Sequence, residues 1–417
     1  MKKKKRSVKV NVIDVKPAFQ ESSTENEDVI TSATGEFGKY QAIWCTLCAL
    51  NSITTGLLVF SNKFFTYKVD YWCTIPEHLN FSANQWLSLS APLLPNNDYD
   101  RCSIFNITYD QDTTRPLENT SRITCQSWTY DTSLFKNTVR ERWDIVCQNE
   151  IGFLPYSTLS TFLYFAGNVI GVLVFGTMAD LYGRKLTYQV FTLASLTLAM
   201  ANHFVNDPWS WITLRFFCGA TYLAMSSAKN VWQFELTSGV WRSRMQHWGH
   251  ELPIQIGLLS LGGIVYCIPD MKSLEYVLIW SILPFVVVAN VMDESPRWLL
   301  SKGQVKPAKT IVKKMSKMNG MPLDKLDQIK KSKEVKKGTF LDILKMRGMR
   351  RYLLVLCLYW FANSMGAYGL IFYTPSFDWN VYLVFIFPAL INVPMLFLTT
   401  FWKTSKSRYS TVFNLGF

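Results

Sequence analysis

Eight apolar blocks, most of them close to 20 residues long, constrain this chain more than any other feature. A helix needs about 20 mostly apolar residues to cross the hydrocarbon core of a bilayer. Any single block could be a buried helix of a soluble protein, but eight in one chain favour a membrane protein. We therefore predict an all-α polytopic membrane protein. The blocks are residues 40–60, 154–175, 186–205, 209–228, 252–267, 274–291, 352–373 and 381–401.

The polar segments between the blocks divide the chain into tails, loops and helices. We predict transmembrane helix 1 in residues 40–65, helices 2 to 6 in 151–299 and helices 7 and 8 in 352–402. The remaining segments are an N-terminal tail (1–39), a large loop (66–150), a basic loop (300–351) and a C-terminal tail (403–417).

Basic residues orient these segments, because short loops rich in Lys and Arg stay in the cytoplasm. Five of the first six residues are basic, which predicts a cytoplasmic N-terminus. From Lys302 to Arg351 there are sixteen Lys or Arg against four Asp or Glu, so this stretch carries +12 of the net charge of +13. It lies between two predicted spans and has few aromatic residues, so we expect a lipid bilayer, not nucleic acid, as its partner.

The large loop has the opposite character. It holds four cysteines and the three N-x-[ST] sequons of the chain, which indicate an oxidising, extracellular compartment. We predict a glycosylated, disulfide-bonded extracellular loop on a multi-pass plasma-membrane protein. Four cysteines allow three connectivities, and the sequence does not choose among them. The cysteines are Cys73, Cys102, Cys125 and Cys147, and the sequons begin at Asn80, Asn106 and Asn119.

A short polar turn joins the second and third blocks. Residues 176–185 read GTMADLYGRK, with an acid and two bases between apolar helices. Glycine permits close helix approach, and Asp180 can face a helix N-terminus or a basic partner. The turn therefore suits a charged latch at the membrane face, although an ordinary cytoplasmic turn is the alternative. Its candidate residues are Gly176, Asp180, Gly183, Arg184 and Lys185.

This turn resembles the signature of the major facilitator superfamily. Four further stretches resemble its organic cation, organic anion and carnitine transporter family: EFGKYQ (36–41), CQSWTYD (125–131), WDIVC (143–147) and ESPRWL (294–299). The resemblance runs from about residue 36 to 402. It implies two six-helix halves, with substrate held between them near the bilayer midplane while the halves rock to alternate access. About eight of those twelve helices are expected here, because only fifteen residues follow the predicted end of helix 8 at residue 402.

The resemblance also implies an ion-pair network at the cytoplasmic end of the helices, which we interpret as a gate. Arg215 matches the R-F-x-x-G pattern of the family, and an ionisable residue within a span is costly and rarely idle. Snorkelling of Arg215 to the headgroups is the alternative. Besides the residues of the turn, the expected members are Arg215, Glu235, Arg242, Glu294 and Arg297.

Substrate contacts are predicted by resemblance at five positions, and helix packing or capping is the alternative at each of them. They are Asn51, His250, Glu251, Tyr368 and Asn392. Two departures from the family matter here. Leu181 replaces an arginine of the signature, which removes one charge from the latch. Asn392 stands where cation carriers have a carboxylate, which weakens the expectation of a simple cation. A neutral amide can bind a ligand by hydrogen bonds but cannot offset its positive charge.

We therefore predict a transporter of small organic cations or zwitterions, such as carnitine. The alternative is a truncated, non-transporting isoform that binds or modulates a full-length relative. No nucleophile with an adjacent base, metal-ligand cluster or phosphate-binding glycine loop is evident in the sequence. We accordingly expect no enzyme activity, no cofactor and no metal.

Overall fold

The computed structural model describes residues 29–95, 97–117, 119–147, 155–329, 344–373 and 381–401. Most of them are helical. In chain order the helices are α1 (Lys39–Phe65), α2 (Ala83–Ser90), α3 (Val139–Arg142), α4 (Tyr156–Tyr182), α5 (Arg184–His203), α6 (Pro208–Leu236), α7 (Gly239–Gln246), α8 (Leu252–Cys267), α9 (Met271–Val291), α10 (Pro296–Ser301), α11 (Val305–Asn319), α12 (Arg347–Tyr373) and α13 (Val381–Phe401). A π-helical turn (His247–Glu251) precedes α8, and a 3₁₀ turn (Asp324–Gln328) lies between α11 and α12.

Each of the eight apolar blocks falls on one helix: α1, α4, α5, α6, α8, α9, α12 or α13. Within the described residues, three of these helices, α1, α4 and α9, are long and apolar enough to cross a membrane by length and composition. Eight spans therefore remain a proposal. Several helices extend beyond their blocks, and α6 runs to Leu236, eight residues past the predicted end.

Small residues let the long helices approach closely. A Cβ added at Gly171 of α4 would lie 2.0 Å from the carbonyl oxygen of Ala220 in α6. In the same way, a Cβ at Gly56 of α1 would lie 2.5 Å from the carbonyl oxygen of Ile254 in α8. Contacts of this kind are typical of helix packing in membranes, where van der Waals contact replaces the hydrophobic effect.

Contacts between helix ends define two ends of the bundle: Asn62, near the end of α1, contacts Thr161, near the start of α4, whereas Glu294, just after α9, contacts the start of α5. We call the end where α1 finishes and α4 begins the disulfide end, because the cysteine-bearing loop lies there. The opposite end, where α4 finishes and α5 begins, is called the basic end.

Two small antiparallel sheets lie in the loop at the disulfide end, so the all-α prediction is wrong for this segment. Strand β1 (Tyr71–Cys73) pairs with β4 (Trp128–Tyr130), and β2 (Ser103–Phe105) pairs with β3 (Arg122–Thr124). Disulfides join Cys73 to Cys125 and Cys102 to Cys147, with Cα separations of 5.7 and 5.6 Å. This pairing is one of the three that the sequence left open. The side chains of all three sequon asparagines, Asn80, Asn106 and Asn119, are exposed.

The last part of this loop docks on the bundle. The backbone of Lys136 exchanges hydrogen bonds with Pro269 and Met271 at the start of α9, each 3.0 Å long. Arg142 forms an ion pair with the buried carboxylate of Glu275, at 3.4 Å, and the ring of His203 contacts the same carboxylate at 2.8 Å. The loop is therefore attached to α9, where Glu275 also contacts His203 of α5.

At the basic end, α11 packs on the N-terminal segment instead of lying free in solvent. Ile30 and Val312 belong to a small apolar cluster between the helical residues 29–34 and α11. The Asn319 amide donates to the carbonyl oxygen of Thr34 at 2.7 Å and accepts from the N–H of Tyr40 at 2.9 Å. The first third of the basic loop is thus attached to α1, whereas residues 330–343 lie outside the described part of the chain.

Candidate functional site

A glycine turn between α4 and α5 organises the first candidate site, at the basic end. Gly183 has φ of +105°, a conformation that L-residues with a side chain rarely adopt. A Cβ at this position would also lie 2.2 Å from Oε2 of Glu294. The turn therefore requires glycine twice over, for its backbone and for the neighbouring carboxylate.

Glu294 caps the first turn of α5. Its carboxylate accepts hydrogen bonds from the backbone N–H groups of Arg184 at 3.0 Å and Lys185 at 3.2 Å, and from its neighbour Ser295 at 2.8 Å. The positive end of the helix dipole favours a carboxylate there. Burial raises the pKa of the Glu294 carboxyl, although these backbone hydrogen bonds oppose the rise. The cap thus joins the segment after α9 to the turn after α4.

Arg184 carries the ion pairs of this site. Its guanidinium lies 2.8 Å from Glu235 and 3.1 Å from Asp180, and it also donates to the carbonyl oxygen of Ala179 at 2.6 Å. The side chain of Arg184 is 11% exposed and that of Glu235 is 19% exposed, whereas that of Asp180 is 67% exposed. The pair with Glu235 is therefore the better shielded one.

The other predicted members contribute differently. Arg297 donates to Oγ of Ser238 at 2.8 Å, just past the end of α6, and Arg242 donates to the carbonyl oxygen of Phe234 at 3.2 Å. Gly176 does not bring two helices together as expected. No described atom lies within 4 Å of a Cβ built there.

Arg215 is not part of this site, so that part of the predicted network is wrong. Its guanidinium is buried at the disulfide end, where it donates to Oδ1 of Asn62 at 2.9 Å. Tyr164, which contacts Arg215, precedes Asp180 by 16 residues of α4, or about 24 Å along the helix. Aromatic rings replace the expected carboxylates around Arg215. They are Phe65, Tyr164 and Trp211, with centroids 5.1, 5.1 and 5.4 Å from the guanidinium carbon.

A second polar cluster lies between α1, α6 and the π-helical turn. Its centre is Lys229, whose side chain is buried in α6. The ammonium donates to the carbonyl oxygen of Cys48 at 3.3 Å and to the Ser52 hydroxyl, both on α1. The ring of His250 lies beside them, with Nδ1 3.4 Å from the Ser52 hydroxyl and Nε2 3.0 Å from the Asn230 amide nitrogen.

The π-helical turn places His250 and Glu251 in this cluster. Proline at position 253 has no N–H to donate, and the N–H of Leu252 bonds to the carbonyl oxygen of His247, five residues earlier. The Glu251 carboxylate accepts from the Gln246 amide at 2.9 Å and lies 4.0 Å from Nε2 of His250. Turns of this kind occur frequently at functional sites.

Of the other predicted substrate contacts, Asn51 is buried on α1 beside Ser52. Neither polar atom of its amide has a hydrogen-bond partner among the described residues. Asn392 is half-buried on α13. Tyr368 belongs to α12, but its side chain lies outside the described part of the structure.

Lys229 is the main residue that the sequence analysis missed. The fourth apolar block ends at residue 228, so Lys229 lay just outside it and was not among the predicted site residues. The helix continues for seven more residues. A detectable signal was the isolated lysine in a segment that continues with Val231, Trp232 and Phe234, since an ionisable group inside a span marks a functional site by default.

Sequence comparison relates the chain to known transporters. The sugar (and other) transporter family model matches residues 127–402. The carcinine transporter of Drosophila melanogaster is 29% identical, over 91% of this chain and 60% of that protein. The beta-alanine transporter of the same fly is 27% identical, over 85% and 65%. Mouse solute carrier family 22 member 21 is 26% identical, over 88% and 68%. The chain thus spans less than two thirds of the length of the two fly relatives.

Two solved structures share the fold. The xylose transporter XylE of E. coli in a partially occluded inward-open conformation gives a TM-score of 0.50, covering 86% of this chain and 69% of that one. XylE bound to 6-bromo-6-deoxy-D-glucose gives 0.52, covering 89% and 71%. Both are 13% identical in sequence, so the likeness concerns the fold alone.

Proposed function

We propose that this chain, which belongs to the sugar (and other) transporter family of the major facilitator superfamily, carries small organic cations or zwitterions by alternating access. Its relatives are solute carrier family 22 transporters rather than enzymes. Relatives named for carcinine and beta-alanine support this substrate range. Carnitine belongs to the same chemical class and is kept as a candidate. The membrane is the plasma membrane, with the N-terminus in the cytoplasm.

The observation that carries this proposal is the buried polar cluster around Lys229. Charged and amide side chains are expensive inside a bundle that lies in lipid, and they are retained where a solute or an ion passes. The cluster draws on α1, α6 and the start of α8, three helices of the same half. It therefore supports a binding site that the first six long helices help to form.

The network around Arg184 supports a conformational role. It joins the end of α4, the start of α5, the end of α6 and the segment after α9 by one guanidinium and one carboxylate cap. In a carrier that rocks between two states, such a group of contacts holds one end of the bundle in a fixed arrangement. We assign it to the cytoplasmic side as a latch.

Uptake by cells that express this chain tests the proposal. We expect at least one of labelled beta-alanine, carcinine and carnitine to accumulate above the level of untransfected cells. Asn51→Ala should reduce accumulation, whereas Thr197→Val, on the exposed face of α5, should not. Surface labelling of each variant separates loss of transport from loss of delivery to the membrane. If no uptake is observed and a full-length relative co-purifies with the chain, the carrier proposal is wrong and the chain is a modulator of that relative.

A further inference from the structure

The ammonium of Lys229 has no acidic partner. An ammonium carries three N–H donors, and Lys229 gives its hydrogen bonds to two neutral acceptors, the carbonyl oxygen of Cys48 and the hydroxyl of Ser52. Within the described residues no carboxylate lies within ion-pair distance of Lys229. A buried charge is strongly unfavourable unless it is paired, so this arrangement requires an explanation.

Glu251 is the acidic residue of the cluster that could have formed an ion pair with Lys229. Its carboxylate instead accepts a hydrogen bond from the Gln246 amide at 2.9 Å and faces Nε2 of His250 at 4.0 Å. Lys229 and Glu251 therefore keep separate partners on either side of the histidine. A purely structural lysine would gain more by pairing directly with the nearby acid.

Asn51 supplies the second observation. It lies three residues after Cys48 on α1, so these two positions are neighbours on the helix surface, and Ser52 is the next residue along the chain. Its side chain is 1% exposed, and both amide atoms lack a partner among the described residues. A buried amide without hydrogen bonds costs free energy, so groups of this kind are retained where a ligand satisfies them.

The cluster as a whole offers donors. The remaining N–H of Lys229 on α6 and the amide N–H₂ of Asn51 on α1 have no acceptor among the described residues, whereas the Ser52 hydroxyl is already hydrogen-bonded to the carbonyl oxygen of Gly249 at 3.1 Å. A carboxylate is an acceptor-only group with two oxygens, and its bonds to charged donors are about twice as strong as neutral ones. A quaternary or primary ammonium head has no acceptor and would be repelled by Lys229.

Resting on the proposed carrier function, we infer that Lys229 is the anchor for the carboxylate of the substrate. The favoured solutes are zwitterions with a free carboxylate, such as an ω-amino acid, and not organic cations that lack one. Lys229 lies seven residues before the end of α6, about 10 Å inside the basic end. The amino group of the zwitterion is then bound by other residues of the carrier.

A pair of ligands that differ in one group tests this. Beta-alanine and its amide have the same amine and the same carbon chain, and the amide lacks the carboxylate. Purified chain in lipid nanodiscs should bind the acid at least about tenfold more tightly than the amide, the ratio given by one charge-assisted hydrogen bond. Lys229→Gln should bring this ratio close to one, and Lys229→Arg should restore most of it.

Lys63→Gln is the matched control. Lys63 is also a buried lysine of the bundle, on α1 near the disulfide end, and its removal should leave the ratio unchanged. Equal binding of acid and amide by the wild-type chain would overturn the inference even if Lys229→Gln does not fold. An acid-to-amide ratio that is unchanged in Lys229→Gln would also overturn the inference. Binding of tetraethylammonium without binding of beta-alanine would overturn it too, but would leave the carrier proposal intact. Failure of all three ligands to bind would remove both proposals.

Discussion

At the residue scale, Gly183 and Gly176 form a matched pair within the ten-residue motif of residues 176–185. Alanine at Gly183 would face both the unfavourable φ of +105° and the carboxylate of Glu294. We expect Gly183→Ala to destabilise the protein by an amount of order 1–3 kcal/mol. Gly176 lies inside α4 with open space around it, so Gly176→Ala should change stability by no more than about 1 kcal/mol. Thermal unfolding of both variants in detergent would measure the difference, and similar midpoints would contradict the assigned contact.

The two carboxylates around Arg184 should also differ. Glu235 is largely shielded, so Glu235→Gln leaves the guanidinium with weaker pairing in a partly buried position. Loss of one partner of a buried pair costs up to about 3–5 kcal/mol, and partial exposure reduces this figure here. Asp180 is mostly exposed, and an exposed pair four residues apart on a helix contributes about 0.3–0.5 kcal/mol. In denaturant titrations, the free energy of unfolding of the Glu235→Gln variant should therefore be well below that of Asp180→Asn. The reverse order would move the centre of the latch to Asp180.

These contacts show what the sequence could predict at single residues. Asp180 and Arg184 are four apart, so their pairing follows from local geometry. Glu294 lies in a motif of the family, and the family assignment itself is confirmed by the match over residues 127–402. Arg215 was placed at the wrong end of the bundle because its neighbours come from α1 and α4, which sequence spacing does not relate. Lys229 was missed because the end of an apolar block does not mark the end of a helix.

At the scale of elements, Asp270 caps α9 and also holds the cysteine-bearing loop. Its carboxylate accepts from the N–H of Ser273 at 2.8 Å and from the Asn137 amide at 2.6 Å. Burial would raise the pKa of Asp270, but these hydrogen bonds lower it below its ordinary value. The folded protein then binds this proton less tightly than the unfolded chain. The stabilisation is therefore present above about pH 4 and is lost as the pH falls through the lowered pKa.

We expect Asp270→Ala to lower stability by about 1 kcal/mol at pH 7. The difference in stability between wild type and variant should stay constant down to about pH 5 and decrease below about pH 4. Melting curves across this range would show it, with the exposed Asp112→Ala as the control. A gap that widens on acidification would have the wrong sign for a carboxylate with a lowered pKa.

Elements were predictable from the sequence where one physical property dominates. The apolar blocks located eight helices, because a long apolar segment can satisfy its backbone in lipid only as a helix or in a closed barrel. The four strands of the loop have three residues each, too short for an alternating pattern to stand out. Their pairing is accompanied by the two disulfides, and the sequence could not choose that connectivity.

At the scale of the whole molecule, charge and cysteine chemistry separate to opposite ends of the bundle. The disulfides and the three exposed sequon asparagines lie at one end, and α11 with the charged turn lies at the other. A membrane between these ends would place the first in an oxidising compartment and the second against anionic lipid headgroups. The same topology would bring a substrate to Lys229 closer to the cytoplasmic than to the extracellular side.

Glycan mapping in intact cells tests this topology. We expect glycosidase treatment to increase the mobility of the wild-type chain, and simultaneous substitution of Asn80, Asn106 and Asn119 by glutamine to abolish that shift, because glycans are added only on the luminal side. A sequon engineered at the start of α11 is the matched control and should remain unmodified, and an N-terminal epitope tag should bind antibody only after permeabilisation. Modification of the engineered sequon, or labelling of the tag on unbroken cells, would show that the topology is the reverse of the one proposed. The assignment of the Arg184 network to a cytoplasmic gate would then be wrong as well.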